Sequence, residues 1–228
     1  MQPRILLTGA SRGIGAAIAD ALGGHALVHA VSSSDGDLSD PRTPARIWQA
    51  AQDRLGGIDV LINNAGLFEA NPIKASDADW LSNWERTMAV NLTSAAQLSR
   101  FAVNHWLETG RQGRIVNIAS RAAHRGDSPE HWHYAAAKAG MVAMTKTIAR
   151  AYASKGIYAF AICPGFTMTG MAEDYLASRG GDKLLADIPL GRVADPEEIA
   201  EMARWCATDA PPSMTGAVLD ANGASYVR

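Results

Sequence analysis

The sequence has few of the features that mark secreted, membrane-spanning or nucleic-acid-binding proteins. Only two of its 228 residues are cysteine, Cys163 and Cys206, which excludes a disulfide framework and a zinc motif. No apolar run approaches the roughly 18 residues that a membrane-spanning helix needs, and the apolar run near the N-terminus is too short for a signal peptide. The formal net charge of -2 suggests no basic surface for nucleic acid. We therefore expect a cytoplasmic protein that binds neither membrane nor nucleic acid.

The hydrophobic residues, 47% of the chain, form short apolar runs that alternate with longer segments of helical period. The predicted strands are 5–7, 26–31, 58–62, 115–118, 158–162 and 217–219. The predicted helices are 14–22, 43–55, 77 to about 108, 134–154 and 196–207. This alternation predicts parallel strands joined by helical crossovers. We therefore predict an α/β fold with a doubly wound parallel sheet, in one domain over residues 1–228, that binds its ligand beyond the carboxyl ends of the strands.

A glycine-rich turn over residues 8–15 follows the first predicted strand. Its glycines Gly9, Gly13 and Gly15 would let the backbone approach a pyrophosphate, and the following helix offers its N-terminus to the phosphates. The alternative is an ordinary tight turn. Residues 9–13 also match the nucleophile elbow of hydrolases, with Ser11 as nucleophile. We disfavour that reading because such an elbow follows several earlier strands, and here only one precedes it.

Four polar residues stand where a catalytic site is expected. Tyr134 and Lys138 are four residues apart and so share one helix face, where the ammonium would lower the tyrosine pKa and make it a general acid or base. Ser120 follows a predicted buried strand. Asn91 falls inside a long predicted helix, where asparagine is a poor helix former. The alternatives are a surface Tyr–Lys pair and a buried amide, or a kink, at Asn91.

With these residues assembled, the chain resembles the short-chain dehydrogenase/reductase family. The resemblance extends from Thr8 to Gly223 with the motifs in family order: the glycine loop at 8–15, Asn-Asn-Ala-Gly at 63–66, Tyr-x-x-x-Lys at 134–138, Pro-Gly at 164–165 and the closing 216–223 segment. Residues 10–12, 134–140 and 191–200 are most similar to the 3-oxoacyl-[acyl-carrier-protein] reductase-like members. The resemblance implies a Rossmann-type fold and hydride transfer between a ketone and a secondary alcohol.

The roles of individual residues follow from this resemblance. Tyr134 would exchange a proton with the substrate oxygen, Ser120 would polarise the carbonyl, Lys138 would lower the tyrosine pKa, and Asn91 would anchor a water of the proton relay. No metal is expected. The residues expected to contact the cofactor are Gly9, Ser11, Arg12, Gly13, Ile14, Gly15, Ser32, Ser33, Asp37, Leu38, Asn64, Ala65, Gly66, Tyr134, Lys138, Pro164, Gly165 and Thr167.

The residues after the second strand favour NADP(H) over NAD(H). NAD-preferring domains usually carry an acidic residue there, but here the strand runs into Ser32-Ser33-Ser34, whose hydroxyls could bond a 2′-phosphate. Arg12 resembles the basic residue that pairs with this phosphate. The Asp37-Leu38 step, which would contact adenine, follows Val31 too closely for a crossover of at least about 10–12 residues. We therefore predict that the usual second helix and third strand are lacking.

The substrate is not specified by these motifs, although a 3-oxoacyl thioester is one candidate. The loop between Ser120 and Tyr134 contains His124, Trp132 and His133, which would contact substrate or lie at the surface or an interface, with a metal site as the weaker reading. A substrate lid is expected at about 166–190. The resemblance implies a homodimer or homotetramer. Two alternatives stay open: other chemistry of the family, such as a dehydratase or epimerase, and a non-catalytic NADP-binding sensor.

Overall fold

The computed structural model describes residues 2–169 and 185–228. Its strands are β1 (Arg4–Thr8), β2 (Leu27–Val31), β3 (Val60–Asn63), β4 (Gly113–Ile118), β5 (Ile157–Pro164) and β6 (Val218–Ala221). Its helices are α1 (Gly13–Ala21), α2 (Thr43–Leu55), α3 (Asp77–Met88), α4 (Ser94–Thr109), α5 (Ala122–Arg125), α6 (Trp132–Tyr152) and α7 (Pro196–Thr208). Most of the predicted lid, residues 170–184 with Met171, Tyr175 and Arg179, lies outside the described residues.

The sheet is parallel throughout, with strand order β2-β1-β3-β4-β5-β6. The strand order reverses beside β1, so the carboxyl ends of β1 and β3 flank the point where such folds bind ligands. Two large hydrophobic clusters pack on the two faces, one around α1 and α7 and the other around α2 and α4. The doubly wound α/β prediction is therefore confirmed.

The segment between β2 and α2 contains turns and no helix or strand, and β2 is an edge of the six-stranded sheet. This confirms the prediction that the usual second helix and third strand are lacking. The edge position explains why β2 is half exposed, with the Leu27 side chain at 50% exposure, while the central strand β3 is buried throughout.

The predicted long helix 77–108 is interrupted. The chain stays helical from Asp77 to Thr109, but residues Ala89–Thr93 form a π-helical turn between α3 and α4. The interruption contains Asn91, where the sequence left a kink open as an alternative, and Asn91 is bonded to a distant loop, described below. Helix α7 begins at Pro196, as predicted. Asp195 is its N-cap residue and forms a capping box with Glu198 in the first turn.

Candidate active site

The glycine turn lies against the loop that follows β3. Gly9 has a φ of 71°, and a Cβ there would be 2.7 Å from the Cα of Ala65. A Cβ on Gly15 would be 1.9 Å from the backbone oxygen of Gly9. No other residue fits either position, so the turn keeps α1 close behind β1. The resulting concave backbone at a helix N-terminus suits the pyrophosphate of a dinucleotide.

Thr8 and Asn64 join the two loops by hydrogen bonds. The Thr8 hydroxyl accepts from the backbone N–H groups of Asn64 and Ala65, at 3.1 Å and 3.2 Å. The Asn64 amide donates to the backbone oxygens of Thr8 and Gly9, at 3.1 Å and 2.9 Å. The side chain of Asn64 therefore supports the glycine turn, and the backbone N–H groups of Asn64 and Ala65 are already bonded to Thr8.

Tyr134, Ser120 and Lys138 come together at the carboxyl end of β4. The Ser120 side chain is close enough to the Tyr134 hydroxyl to act on its pKa, which it lowers. The Lys138 ammonium lies 5.8 Å from the centroid of the Tyr134 ring and donates to the backbone oxygen of Ile118 at 2.8 Å. Helix α6 supplies the tyrosine and the lysine, and the turn after β4 supplies the serine, so the three residues meet although up to 18 positions separate them.

Burial controls the ionisation of this group. Burial raises the pKa of Tyr134 to about 12, although the Ser120 side chain acts in the opposite direction. Burial also lowers the pKa of Lys138 to about 8. The sequence predicts that Lys138 lowers the tyrosine pKa, whereas in the protein alone the pKa of Tyr134 is raised, because burial penalises the charged phenolate. The tyrosine is therefore a protonated acid at neutral pH.

Asn91 holds the loop after β3 against the catalytic group. Its fully buried side chain accepts from the backbone N–H of Leu67 at 2.7 Å and donates to the Leu67 oxygen at 2.8 Å. A Cβ on Gly66 would be 3.5 Å from both Asn91 Oδ1 and Lys138 Nζ, which places the loop beside the lysine. This is the buried amide that the sequence left open as an alternative. A relay water would have to use the main chain of Asn91.

The serines after β2 are already bonded to a carboxylate. Asp35 accepts from the backbone N–H of Ser32 at 2.8 Å and from the hydroxyls of Ser32 and Ser34 at 3.3 Å and 3.4 Å. The premise that no carboxylate lies here is therefore wrong. The error arose because Asp35 follows β2 by four residues, and only the turn brings it back to Ser32. Arg12, in contrast, is exposed and forms no ion pair within the described ranges.

The remaining predicted cofactor residues lie around the same edge of the sheet. Asp37 is an exposed residue whose carboxylate accepts from the N–H of Ser39, and Leu38 packs against the core cluster around α2. At the end of β5, a Cβ on Gly165 would be 2.8 Å from the Cα of Asn222. Thr167 is buried and pairs with Ala194 in an isolated parallel bridge.

The loop before Tyr134 differs from the predicted substrate wall. His133 is only 1% exposed and packs near Trp84, with ring centroids 6.4 Å apart, so it cannot contact substrate without rearrangement. Trp132 is 52% exposed. The sequence analysis missed Phe68, which contacts the catalytic group. Its ring meets the Tyr134 ring edge-on with centroids 4.8 Å apart, and it stacks on the His131 ring with centroids 3.9 Å apart. The position of Phe68, two residues after the 63–66 motif, could have indicated it.

The chain is similar to known proteins over most of its length. Residues 25–223 match the family described as Enoyl-(Acyl carrier protein) reductase. The chain is 34% identical over 241 residues to the 3-oxoacyl-[acyl-carrier-protein] reductase FabG of Vibrio cholerae, with 97% of this chain and 96% of that protein covered. The Escherichia coli FabG is 32% identical over 241 residues, with the same coverage.

A relative with a different name is nearly as similar. The 3beta-hydroxysteroid dehydrogenase 1 of Eggerthella lenta is 33% identical over 246 residues, with 96% of this chain and 92% of that protein covered. These similarities extend over almost the full length of the chain and of the relatives. The chain belongs to the short-chain dehydrogenase/reductase family and is an oxidoreductase, similar to 3-oxoacyl-[acyl-carrier-protein] reductases, that acts on CH–OH or keto groups.

Proposed function

We propose that this protein interconverts a ketone and a secondary alcohol with NADP(H), using Tyr134, Ser120 and Lys138. The observation that carries the proposal is the Lys138 ammonium 5.8 Å from the centroid of the Tyr134 ring, with the hydroxyl of Ser120 close enough to lower the tyrosine pKa. Two hydroxyls that meet in this way can both bond one carbonyl oxygen. The nicotinamide supplies or accepts the hydride when it is bound.

In the reducing direction, Tyr134 gives its phenolic proton to the carbonyl oxygen as negative charge develops there. Ser120 donates a hydrogen bond to the same oxygen and so stabilises that charge. Lys138 then stabilises the tyrosinate electrostatically. Asn91 acts through the loop it holds, because both of its polar side-chain atoms are bonded to Leu67. The raised pKa of Tyr134 suits the role of proton donor at neutral pH.

For the cofactor, we favour NADP(H) over NAD(H) because of Arg12. It stands in the glycine turn, exposed and without an ion pair among the described residues, where its guanidinium can bind a 2′-phosphate. The carboxylate of Asp35 opposes this preference, since it occupies the hydroxyl cluster of Ser32 and Ser34. Arg12 and Asp35 are both exposed, so the Asp35 side chain can turn away when a phosphate binds. The electrostatic repulsion between Asp35 and the phosphate is a penalty that a mutation can measure.

For the substrate, a 3-oxoacyl thioester is the first candidate, from the similarity to the FabG proteins. A second candidate, a ring ketone such as a 3-oxosteroid, is favoured by the aromatic surface of Phe68 and His131 beside Tyr134. A flat ring system can stack on such a surface, whereas an acyl chain gains little from it.

The test is the oxidation of NADPH and NADH with acetoacetyl thioesters, 3-oxosteroids, sugars and small diketones. We expect thioester or steroid reduction, and a loss of roughly 10²–10⁴-fold in the Tyr134→Phe variant, the range for general acid catalysis. Tyr152→Phe, on the same helix but away from Ser120, is the matched control and should retain full activity. Wild-type turnover in Tyr134→Phe would disprove the catalytic assignment. No turnover with any carbonyl would favour the sensor.

We also propose a homodimer or homotetramer that associates through α4 and α6, the helices next to Asn91 and Tyr134. Leu107 on α4 is 43% exposed in the single chain. An apolar residue that a second copy covers would be exposed in this way when the chain is considered alone. The two cysteines are both free and buried, which suits the reducing cytoplasm. No described helix is long and apolar enough to cross a membrane.

A further inference from the structure

Three potential metal ligands from three separate elements meet behind the active site. They are His124 on α5, Cys163 on β5 and Asp220 on β6, and their ligand atoms all lie within 4.8 Å of one another. Cys163 and Asp220 are register partners on adjacent parallel strands, and α5 brings His124 over them. Neither histidine nor cysteine has a role in the proposed reaction.

The distances in this cluster suit a small tetrahedral ion. His124 Nε2 and Cys163 Sγ are 3.6 Å apart. Zinc–sulfur and zinc–nitrogen bonds of about 2.3 Å and 2.0–2.1 Å at a tetrahedral angle require a separation of about 3.6 Å between the two ligand atoms. Asp220 is the ligand that would have to move, since its Oδ2 also accepts from Arg228 Nε at 2.9 Å.

The surroundings leave the cluster accessible and supported. Cys163 is buried, Asp220 reaches the surface, and a cleft of about 640 Å³ lined by Asp220, Tyr226 and Arg228 gives an entry path. The ring of Tyr226 stacks over His124 with centroids 5.9 Å apart, which fixes the plane of the imidazole.

We propose that His124, Cys163 and Asp220 form a binding site for a borderline-soft divalent cation such as Zn²⁺, with a fourth position open to water. Nitrogen, sulfur and carboxylate oxygen are the ligands that zinc takes in proteins, and three protein ligands plus water is one of its common arrangements. Binding removes the thiol proton of Cys163 to solvent, so one proton is released for each ion bound.

The test is a titration of tag-free, chelator-treated full-length protein with Co²⁺, followed by competition with Zn²⁺. We expect one Co²⁺ per chain, a near-ultraviolet thiolate-to-cobalt charge-transfer band and the visible bands of a four-coordinate ion, all removed by Zn²⁺. Cys163→Ser should abolish the charge-transfer band. Cys206→Ser, which alters the other buried cysteine, is the matched control and should leave the spectrum unchanged. Circular dichroism confirms that both variants are folded.

The other two ligands are tested by affinity. Loss of an outer-shell partner typically weakens metal binding by about 10–100-fold, so His124→Ala and Asp220→Asn should weaken Zn²⁺ binding at least that much. Arg228→Ala removes the competitor for Asp220 and should tighten binding by up to about tenfold. The proposal is overturned if no charge-transfer band appears, if Cys206→Ser removes it instead of Cys163→Ser, or if His124→Ala binds Zn²⁺ as the wild type does. None of these readouts depends on turnover.

Discussion

Tyr134 and Lys138 lie one turn apart on α6, and burial moves their pKa values in opposite directions, to about 12 and about 8. Both shifts have the same cause, because loss of water penalises the charged form of each side chain. In the free protein at neutral pH the tyrosine is thus a protonated acid, and the lysine is still mostly charged. The lysine, not the tyrosine, is the group that titrates close to working pH.

The value of kcat/KM for carbonyl reduction should therefore fall as the pH rises above about 8, since kcat/KM reports the free enzyme. A neutral Lys138 no longer stabilises the tyrosinate that forms when Tyr134 gives up its proton. The measurement is a pH–rate profile of the wild type and of Lys138→Arg, whose guanidinium stays charged. The arginine variant should be slower and lack this decline. The same decline in both would assign it to another group.

A second prediction at this scale concerns Asp35. Replacing it with asparagine removes a negative charge from the hydroxyl cluster of Ser32 and Ser34, so the ratio of kcat/KM with NADPH to that with NADH should rise by roughly tenfold, which corresponds to about 1.4 kcal/mol. Asp20→Asn, an exposed aspartate on α1, is the control of equal charge change. An unchanged ratio in Asp35→Asn, or a wild-type preference for NADH, would contradict the proposed cofactor.

At the scale of elements, the π-helical turn Ala89–Thr93 and the loop after β3 depend on each other. Asn91 faces the loop from within the turn and forms two hydrogen bonds with the backbone of Leu67. These bonds replace the water that the Asn91 amide and the Leu67 backbone would otherwise bind. The loop in turn places Gly66 beside Lys138, where a Cβ on the glycine would be 3.5 Å from Lys138 Nζ. A change in one element therefore reaches the catalytic lysine through the other.

Asn91→Ala should destabilise the protein by about 1–3 kcal/mol, because it leaves buried backbone groups of Leu67 without partners. Urea unfolding measures this change, and kcat/KM should fall as the loop loosens around Lys138. Asn104→Ala alters an exposed asparagine on α4 and should change the unfolding free energy by less than about 0.5 kcal/mol. Equal stability of the two variants would show that the Leu67 contact contributes nothing.

For the whole molecule, a partly buried ion pair ties the start of the chain to the central strands. Arg4 in β1 donates to both carboxylate oxygens of Asp59, at 2.8 Å and 2.6 Å. Burial acts to raise the pKa of Asp59, but the hydrogen bonds from Arg4 outweigh it, and the net pKa is lowered. The stabilisation is thus present above the unfolded-state pKa of about 3.9 and is lost as the pH falls through the lower folded-state value.

Asp59→Asn should lower the unfolding free energy by about 1–3 kcal/mol at pH 7. The difference from wild type should shrink as the pH falls below about 4, since protonation of Asp59 weakens the same pair in the wild type. Urea titrations at several pH values measure both effects, with the exposed Asp53→Asn as control. A difference that stays constant down to acid pH would mean that the charge of Asp59 is not what stabilises the fold.

The sequence by itself determined the fold class, the shortened segment after β2 and the family. These depend on local periodicity, residue counts and motif spacing, all of which can be read along the chain. Apart from the interrupted helix 77–108, the predicted element boundaries differ from the observed ones by at most two residues, because the ends of helices and strands fray. The Ser120, Tyr134 and Lys138 set was also predictable, because parallel strands and one helix face bring such positions together.

Only the tertiary structure decided which side chains that are distant in the sequence come into contact. Asp35 turns back onto Ser32, Asn91 reaches across 24 residues to Leu67, and His124 meets Cys163 across 39. Burial then reversed the predicted pKa shift of Tyr134. Such contacts depend on how loops of particular length pack over the sheet, and desolvation depends on everything that surrounds a group, so neither has a signature in the local sequence.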